Sequence, residues 1–424
     1  MPFRALGLQD NILKAIQEAG YTEPTPIQSA AIPLIMAGHD LIGIAQTGTG
    51  KTAAFVLPIL AKITGGGRGS SPRAIRALIV APTRELAAQI DENVRAYARH
   101  LPLAATTIYG GVSERPQIDA LRRGVDLLVA TPGRLLDLMN RRLCHFAQLD
   151  FLVLDEADRM LDMGFLPDIR RIVKALPLKR QTLLFSATLS REIENITREF
   201  LRAPKTVQIG RRANAAETVT QFVYEVPQHL KSALLAHLLR EPSLTMVLVF
   251  SRMKHGADRI ARSLEAKGIR TATLHSNRSQ NQRLRALKDF KSGAVRVLVA
   301  TDIAARGIDV DGISHVVNYD FPMHPEDYVH RIGRTGRAQA VGDAISFVTP
   351  ADQGELRALE RFIGRGIVRK RAEDFNYSAP PAPGAGEGRG ERRGQTPPPP
   401  RRPHGEAQSR RHPPGPRGNH WRRR

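Results

Sequence analysis

The octapeptide Ala45-Gln46-Thr47-Gly48-Thr49-Gly50-Lys51-Thr52 narrows the possible folds of this chain more than any other stretch. The apolar run Leu41-Ile42-Gly43-Ile44 precedes it as a buried strand would, and Ala53-Ala54-Phe55-Val56-Leu57 follows with helix-compatible residues. Glycines at 48 and 50 remove Cβ atoms, so successive backbone N–H groups can curl around phosphate oxygens. The positive end of the following helix adds to that attraction. Lys51 suits the β- and γ-phosphates of a nucleotide, and the Thr52 hydroxyl suits Mg²⁺. The usual pattern opens on glycine where Ala45 stands, and a glycine- and threonine-rich surface turn is the alternative reading.

A loop of this kind belongs in an α/β fold, and the chain alternates accordingly. Strand-like segments at 77–81, 106–109, 127–130, 151–154, 182–185 and 206–209 are apolar at nearly every position. That pattern predicts a parallel sheet buried on both faces by helices. The segment 211–217 lacks apolar periodicity, and a second strand series follows at 219–226, 245–250, 271–274, 295–300, 315–318 and 344–348. Two α/β domains are therefore expected, 1–210 and 218–375, joined by a linker at 211–217. Their likeness rests on element pattern, without a sequence repeat. Near the start, Leu8, Ile12, Leu13 and Ile16 at helical spacing predict a helix over 8–19 that Gly20 closes.

From 376 to 424 the composition changes: 11 prolines, 8 glycines and 11 Arg against 3 Glu. Such a segment buries too little apolar area to offset its ordering entropy, so a disordered tail is expected. It supplies +8 of a net charge of +22, a balance that points to nucleic acid as partner. Cys144 is the sole cysteine and the 13 histidines lack metal-ligand spacing, so neither a disulfide nor a structural zinc is indicated. Residues 1–7 lack the apolar core of a signal peptide and no apolar run approaches a membrane span, which predicts a soluble cytoplasmic protein.

Three further stretches carry chemistry. In Tyr21-Thr22-Glu23-Pro24-Thr25-Pro26-Ile27-Gln28 the prolines set a rigid approach to a helix, leaving Gln28 near its first turn. The Gln28 amide matches the N6 and N7 edge of adenine and Tyr21 can stack on the ring, although a surface glutamine is the plainer reading. Asp155-Glu156 follows an apolar strand. Asp155 suits Mg²⁺ and Glu156 suits polarising a water, whereas a helix N-cap is the structural alternative. In His330-Arg331-Ile332-Gly333-Arg334-Thr335-Gly336-Arg337, a helix would put His330, Arg334 and Arg337 on one face. The two glycines oppose that and suggest a close backbone approach instead. Arg334 and Arg337 are candidate arginine fingers for charge on a γ-phosphate.

Taken together, these motifs resemble a DEAD-box RNA helicase of superfamily 2 over the span from Phe3 to about Phe375. Tyr21 to Gln28 is similar to the family's adenine-reading Q motif, with Phe3 as its upstream aromatic. The loop at 45–52 is similar to motif I, where a leading alanine is normal, and Asp155-Glu156-Ala157-Asp158 to the name-giving motif II. Ser186-Ala187-Thr188 resembles motif III, Val249-Phe250-Ser251-Arg252 motif IV, residues 300–309 motif V and residues 330–337 motif VI. His275-Ser276 departs from the usual His-Gly, which affects only local loop geometry.

The resemblance implies two RecA-like domains with ATP and RNA each bound across the cleft between them. It assigns catalysis to Lys51, Asp155, Glu156, His330, Arg334 and Arg337. It assigns the nucleotide to Phe3, Tyr21, Gln28, Ala45, Gln46, Thr47, Gly48, Thr49, Gly50, Lys51, Thr52 and Asp309, the last on the ribose, with Mg²⁺ on Thr52 and Asp155. RNA falls to Pro82, Thr83, Arg84, Gly110, Gly111, Thr131, Gly133 and Arg134 in the first domain. In the second it falls to Ser251, Arg252, Gln280, Arg283, Thr301 and Asp302. Asp158, Ser186 and Thr188 couple the domains. The short core with a Pro/Arg-rich tail looks most like the bacterial RhlE-type subgroup. A monomer acting on RNA by backbone contacts is implied, with ribosomal precursors or RNA-decay machinery as partners and the tail as an electrostatic tether. The rival reading is an ATP-gated RNA clamp or assembly scaffold with little unwinding.

Overall fold

The computed structural model describes residues 2–45, 48–65, 73–209, 219–305, 310, 312–336 and 342–380. The first lobe holds seven strands: β1 (Leu41–Ile44), β2 (Ala77–Val80), β3 (Ala105–Ile108), β4 (Leu127–Ala130), β5 (Phe151–Leu154), β6 (Gln181–Ser186) and β7 (Lys205–Gln208). They form one sheet in the order β3-β4-β2-β5-β6-β1-β7, and every neighbouring pair is parallel. The second lobe holds β8 (Val219–Glu225), β9 (Val247–Phe250), β10 (Thr271–Leu274), β11 (Val297–Ala300), β12 (His315–Asn318), β13 (Gly342–Val348) and β14 (Val368–Lys370). Their order, β10-β11-β9-β12-β13-β8-β14, repeats that of the first sheet strand for strand. These are the two helix-flanked parallel sheets of tandem RecA-like domains.

The two-residue period of a strand explains why the central segments are apolar throughout. Ala77 and Ile79 of β2 enter one apolar cluster while Leu78 and Val80 enter another, so each face of the sheet has its own core. In the second sheet Val247 and Val249 divide from Leu248 and Phe250 in the same way. Burial on both faces fails at the sheet edges. Ala105, Thr106 and Thr107 of β3 are half-buried, and in β7 only Val207 is buried. An edge strand has one neighbour, and its threonines and lysine tolerate solvent.

Three other boundaries move. The first long helix runs over Asp10–Glu18, because Gln9 is extended and Leu8 is buried outside it. β14 was not anticipated: Val-Arg-Lys carries no apolar alternation, and the strand is held by pairing with β8 and by Lys370 over the Phe222 ring, 3.4 Å from its centroid. The compact unit continues to Ala379, past the expected boundary at 375. Phe375, Tyr377 and Ala379 pack against the second-lobe core, and His229 Nε2 lies 2.8 Å from the Ala379 carbonyl oxygen. The linker at 211–217 and the tail from 381 onward lie outside the described residues. Among the described residues, no helix is long and apolar enough to cross a membrane.

Candidate active site and nucleic-acid interface

At the carboxyl end of the first sheet, the phosphate loop leaves β1 with the Ala45 N–H donating to the Ser186 carbonyl (3.0 Å). It enters the helix Lys51–Gly65 with Lys51 as the first residue. Gly48 and Gly50 have φ of +84° and +89°, the left-handed region that glycine permits. A side chain at Gly50 would also strike the Gln28 amide nitrogen at 2.4 Å. Lys51 is buried, and its Nζ donates to the Ala45 carbonyl (2.8 Å), so the lysine spans its own loop. Gln46 and Thr47 lie outside the described residues.

Gln28 stands on the first turn of the helix Pro26–Met36, as the prolines predict. Its side chain is fully buried. Oε1 accepts from the Thr25 N–H (2.9 Å) and Nε2 donates to the Gly50 carbonyl (3.1 Å), tying the helix start to the phosphate loop. Phe3, expected on the nucleotide, is instead packed in the apolar core and meets Tyr21 edge-on at 6.4 Å. Tyr21 in turn meets Tyr97 edge-on, and their hydroxyls are 2.8 Å apart.

Behind the loop, β5 delivers two buried carboxylates. Burial pushes Asp155 up to about 7, with the nearby Lys51 cation opposing the rise. Such a carboxyl holds its charge well only beside an added cation, which fits a Mg²⁺ ligand. Glu156 sits at the start of the helix Ala157–Asp162 in the left-handed region (φ +51°), and its side chain makes no capping bond. The N-cap alternative therefore does not account for it. Instead Oε2 accepts from Arg159 Nη1 at 2.8 Å. Burial pushes the Glu156 carboxyl up, but the cations of Arg159, Lys51 and Arg334 together hold it below the usual range. The arginine expected from the second lobe thus acts electrostatically on the first-lobe acid.

Asp158 points the other way. Its Oδ2 accepts from the N–H groups of Ala187 and Thr188, both at 3.0 Å, and from the Thr188 hydroxyl at 3.2 Å. Thr188 N also lies 3.4 Å from the Ser186 hydroxyl. The acidic strand end and the Ser186-Ala187-Thr188 turn are one hydrogen-bonded unit.

In the second lobe the helix containing His330 runs over Pro325–Ile332 and stops at Gly333. His330 and Arg334 are therefore not on one continuous helical face. Arg334 lies in the turn beyond, and Gly336 has φ +66°. Arg331, which the sequence reading passed over, is buried at the centre. It makes a two-pronged ion pair with Asp302 (2.6 and 2.7 Å), donates to the Asp320 carbonyl (2.7 Å), and lies over the Phe250 ring at 5.1 Å. Phe250, Asp302, His330, Arg331 and Arg334 line one small recess. Asp309 and Arg337 lie outside the described residues.

A second cleft of about 570 Å³ is lined by Pro82, Thr83, Arg84, Gly110, Thr131, Gly133 and Arg134 of the first lobe and by Ser276 and Arg283 of the second. Thr83 caps the helix Arg84–Tyr97 and Thr131 precedes the helix Pro132–Asn140, so two positive helix ends open on it. Arg134 Nη1 is buried there without a hydrogen-bond partner. Gly111 has φ +78°, and a Cβ on it would come within 2.0 Å of the Arg84 guanidinium. Ser276 takes the place where a glycine was expected.

Several expected cleft residues have protein partners instead. Gln280 is buried and donates to Glu85 Oε1 (2.8 Å), and Arg283 pairs with Glu85 Oε2 (3.1 Å), linking the lobes. Ser251 is fully buried against Asp320 (3.1 Å), and Asp302 is held by Arg331. These polar side chains were assigned to RNA by motif alone. Which of them face inward depends on long-range packing that the local sequence does not carry. Arg252 is exposed, while Thr301 is half-buried, its N–H donating to the Leu274 carbonyl (3.2 Å).

The DEAD/DEAH box helicase family matches residues 25–196, and the helicase conserved C-terminal domain matches residues 230–339. A DEAD-box ATP-dependent RNA helicase CshA of Streptococcus pneumoniae is 46% identical over 360 residues, covering 85% of this chain and 68% of that protein. This relative and one from Bacillus cereus, 42% identical over 370 residues, both carry the name CshA, so the expected RhlE-type assignment finds no support. Saccharomyces cerevisiae Dbp5 bound to RNA and ADP BeF3 superposes with a TM-score of 0.76 at 31% identity, over 87% of this chain and 95% of that one. A Dbp5 variant bound to Nup159, Gle1, IP6 and ADP gives 0.60 at 30% identity, over 87% and 96%. The chain belongs to the DEAD-box family of ATP-dependent RNA helicases.

Proposed function

We propose that this enzyme hydrolyses ATP in a site completed by both lobes, that RNA bound in the neighbouring cleft promotes closure, and that closure separates short duplexes locally. The observation that supports the reading most is that the buried Glu156 carboxyl of the first lobe is held low by the cations of Arg159, Lys51 and, from the second lobe, Arg334.

In this reading the backbone of Gly48 to Thr52 and the Lys51 ammonium hold the phosphates, Lys51 leaving the Ala45 carbonyl to do so. Gln28, fixed to Gly50, reads the adenine beside Tyr21. Thr52 and Asp155 would hold Mg²⁺, which when bound shields the charge of the β- and γ-phosphates. Glu156, kept ionised by its three cations, accepts a hydrogen bond from the attacking water and orients it. Arg334 neutralises charge that develops on the γ-phosphoryl oxygens, and His330 borders the same recess. The hydrogen bonds from Ala187 and Thr188 to Asp158 carry the nucleotide state to the turn after β6.

RNA phosphates lie against the two helix ends at Thr83 and Thr131, with Arg84, Arg134 and Arg252 supplying positive charge. Such contacts follow the sugar-phosphate backbone, so recognition is independent of sequence and sensitive to salt. The basic segment after Ala379 adds a non-specific tether. Its removal weakens RNA affinity and flattens the salt dependence.

The test is ATP hydrolysis with and without single-stranded RNA, beside release of a labelled short duplex. RNA-stimulated turnover with ATP-dependent release is expected. Turnover without release makes the protein a clamp, and equal stimulation by DNA contradicts the RNA preference.

A further inference from the structure

Asp320 follows β12 and played no part in the motif reading, yet it joins the two sides of the second lobe. Its Oδ2 accepts from the Arg252 N–H (2.8 Å) and lies 3.1 Å from the Ser251 hydroxyl. Arg252 Nη2 donates to the adjacent Phe321 carbonyl (3.0 Å), so the exposed arginine is fixed to the same loop twice. The Asp320 N–H reaches the Phe250 carbonyl (3.3 Å), and its carbonyl accepts from Arg331 Nη1 (2.7 Å). Arg331 then holds Asp302 with two short bonds, and its own carbonyl accepts from the Arg334 N–H (3.1 Å). One residue therefore stands between Arg252, on the proposed RNA side, and Arg331 and Arg334, on the proposed nucleotide side.

A carboxylate is suited to this place. It accepts from a backbone N–H and a hydroxyl at once, and charge-assisted bonds of this kind are shorter and stronger than neutral ones. Lys231, buried nearby, adds an attractive cation. An alanine would remove the acceptor that sets the Arg252 loop and leave the Arg331 contact, which is to backbone, formally possible.

We infer that Asp320 is a positioning residue that transmits the state of the nucleotide site to the Arg252 loop, so that ATP and RNA strengthen each other's binding through it. The inference rests on the proposed function above. Coupling of two ligands is reciprocal, so it is read as one ratio: RNA affinity with nucleotide over RNA affinity without it.

The experiment measures anisotropy of a fluorescein-labelled single-stranded oligouridine with and without AMP-PNP, together with AMP-PNP affinity in the absence of RNA. The wild type is expected to bind RNA roughly tenfold more tightly with AMP-PNP, within the usual range of coupling. Asp320→Ala is expected to bring that ratio to about twofold or less, with AMP-PNP affinity alone unchanged. Asp320→Asn keeps the size of the side chain and an acceptor oxygen, gives an intermediate ratio, and carries the test if the alanine variant does not fold. A wild-type ratio in Asp320→Ala overturns the inference, as does an equal loss of RNA affinity with and without AMP-PNP. A ratio of one in the wild type overturns the functional reading itself, and this inference with it.

Discussion

The two lobes share a strand order, but the loop that follows the first strand has a different fate in each. After β1 the chain passes two positive-φ glycines and reaches Lys51 at the first position of its helix, beside the buried Asp155. After β8 the chain reaches Lys231 at the first position of the helix Lys231–Leu238, with no glycine on the way. Lys231 is buried over the Tyr319 ring (5.8 Å) and lies 3.9 Å from Asp352, and Asp320 follows β12 much as Asp155 follows β5. The same scaffold thus carries a lysine and an acid at matching places twice. Only the first of these loops carries positive-φ glycines, the backbone curvature that suits a phosphate. In the second lobe Asp352 lies beside the lysine instead, so the same fold serves a different local arrangement.

The comparison breaks if the two lysines behave alike. Lys51→Ala should abolish ATP hydrolysis at saturating RNA, measured by phosphate release, because nothing else in the loop places a cation on the β- and γ-phosphates. Lys231→Met should keep turnover within about threefold of wild type, since it removes a buried cation without touching the nucleotide site. Asp352 retains its bonds from the Thr349 N–H (2.9 Å) and hydroxyl (2.7 Å), so the melting temperature should move by only a few degrees. A large loss of turnover in Lys231→Met would mean that the second loop also serves the nucleotide.

Between these extremes lies the proposed RNA cleft. Gly111→Ala places a side chain at φ +78° and against the Arg84 guanidinium, whereas Gly110→Ala meets Arg84 only at 3.6 Å. Left-handed backbone costs alanine about 1–2 kcal/mol, and displacement of Arg84 adds to it. RNA affinity should therefore drop about tenfold in Gly111→Ala, and by much less in Gly110→Ala, with ATP binding unaffected in both. Equal effects at the two positions would place Arg84 outside the RNA site.

Much of this arrangement is legible in the sequence because its signals are local. Strands such as β2, β4, β5 and β9 are uninterrupted apolar runs, and the phosphate loop announces itself by glycine spacing beside an apolar strand. What stays hidden depends on partners distant in the chain. Gln280 and Arg283 look like ligand-binding residues until Glu85, some two hundred positions earlier, is found between them. Arg331 and Asp320 look like ordinary charged residues of a helix and a loop, and only packing shows Arg331 to be buried against the carbonyl of the half-buried Asp320. Phe3 was assigned to the nucleotide by its place in a motif, and the core claims it instead.

The central claim is that hydrolysis needs a cation from the second lobe at an otherwise complete first-lobe site. Single-turnover hydrolysis of Mg·ATP by Arg334→Ala at saturating RNA, beside its ATP affinity, tests this most directly. Nucleotide binding should persist while the rate falls by about 10³ or more, as for other arginine fingers. Wild-type turnover in Arg334→Ala would contradict the account.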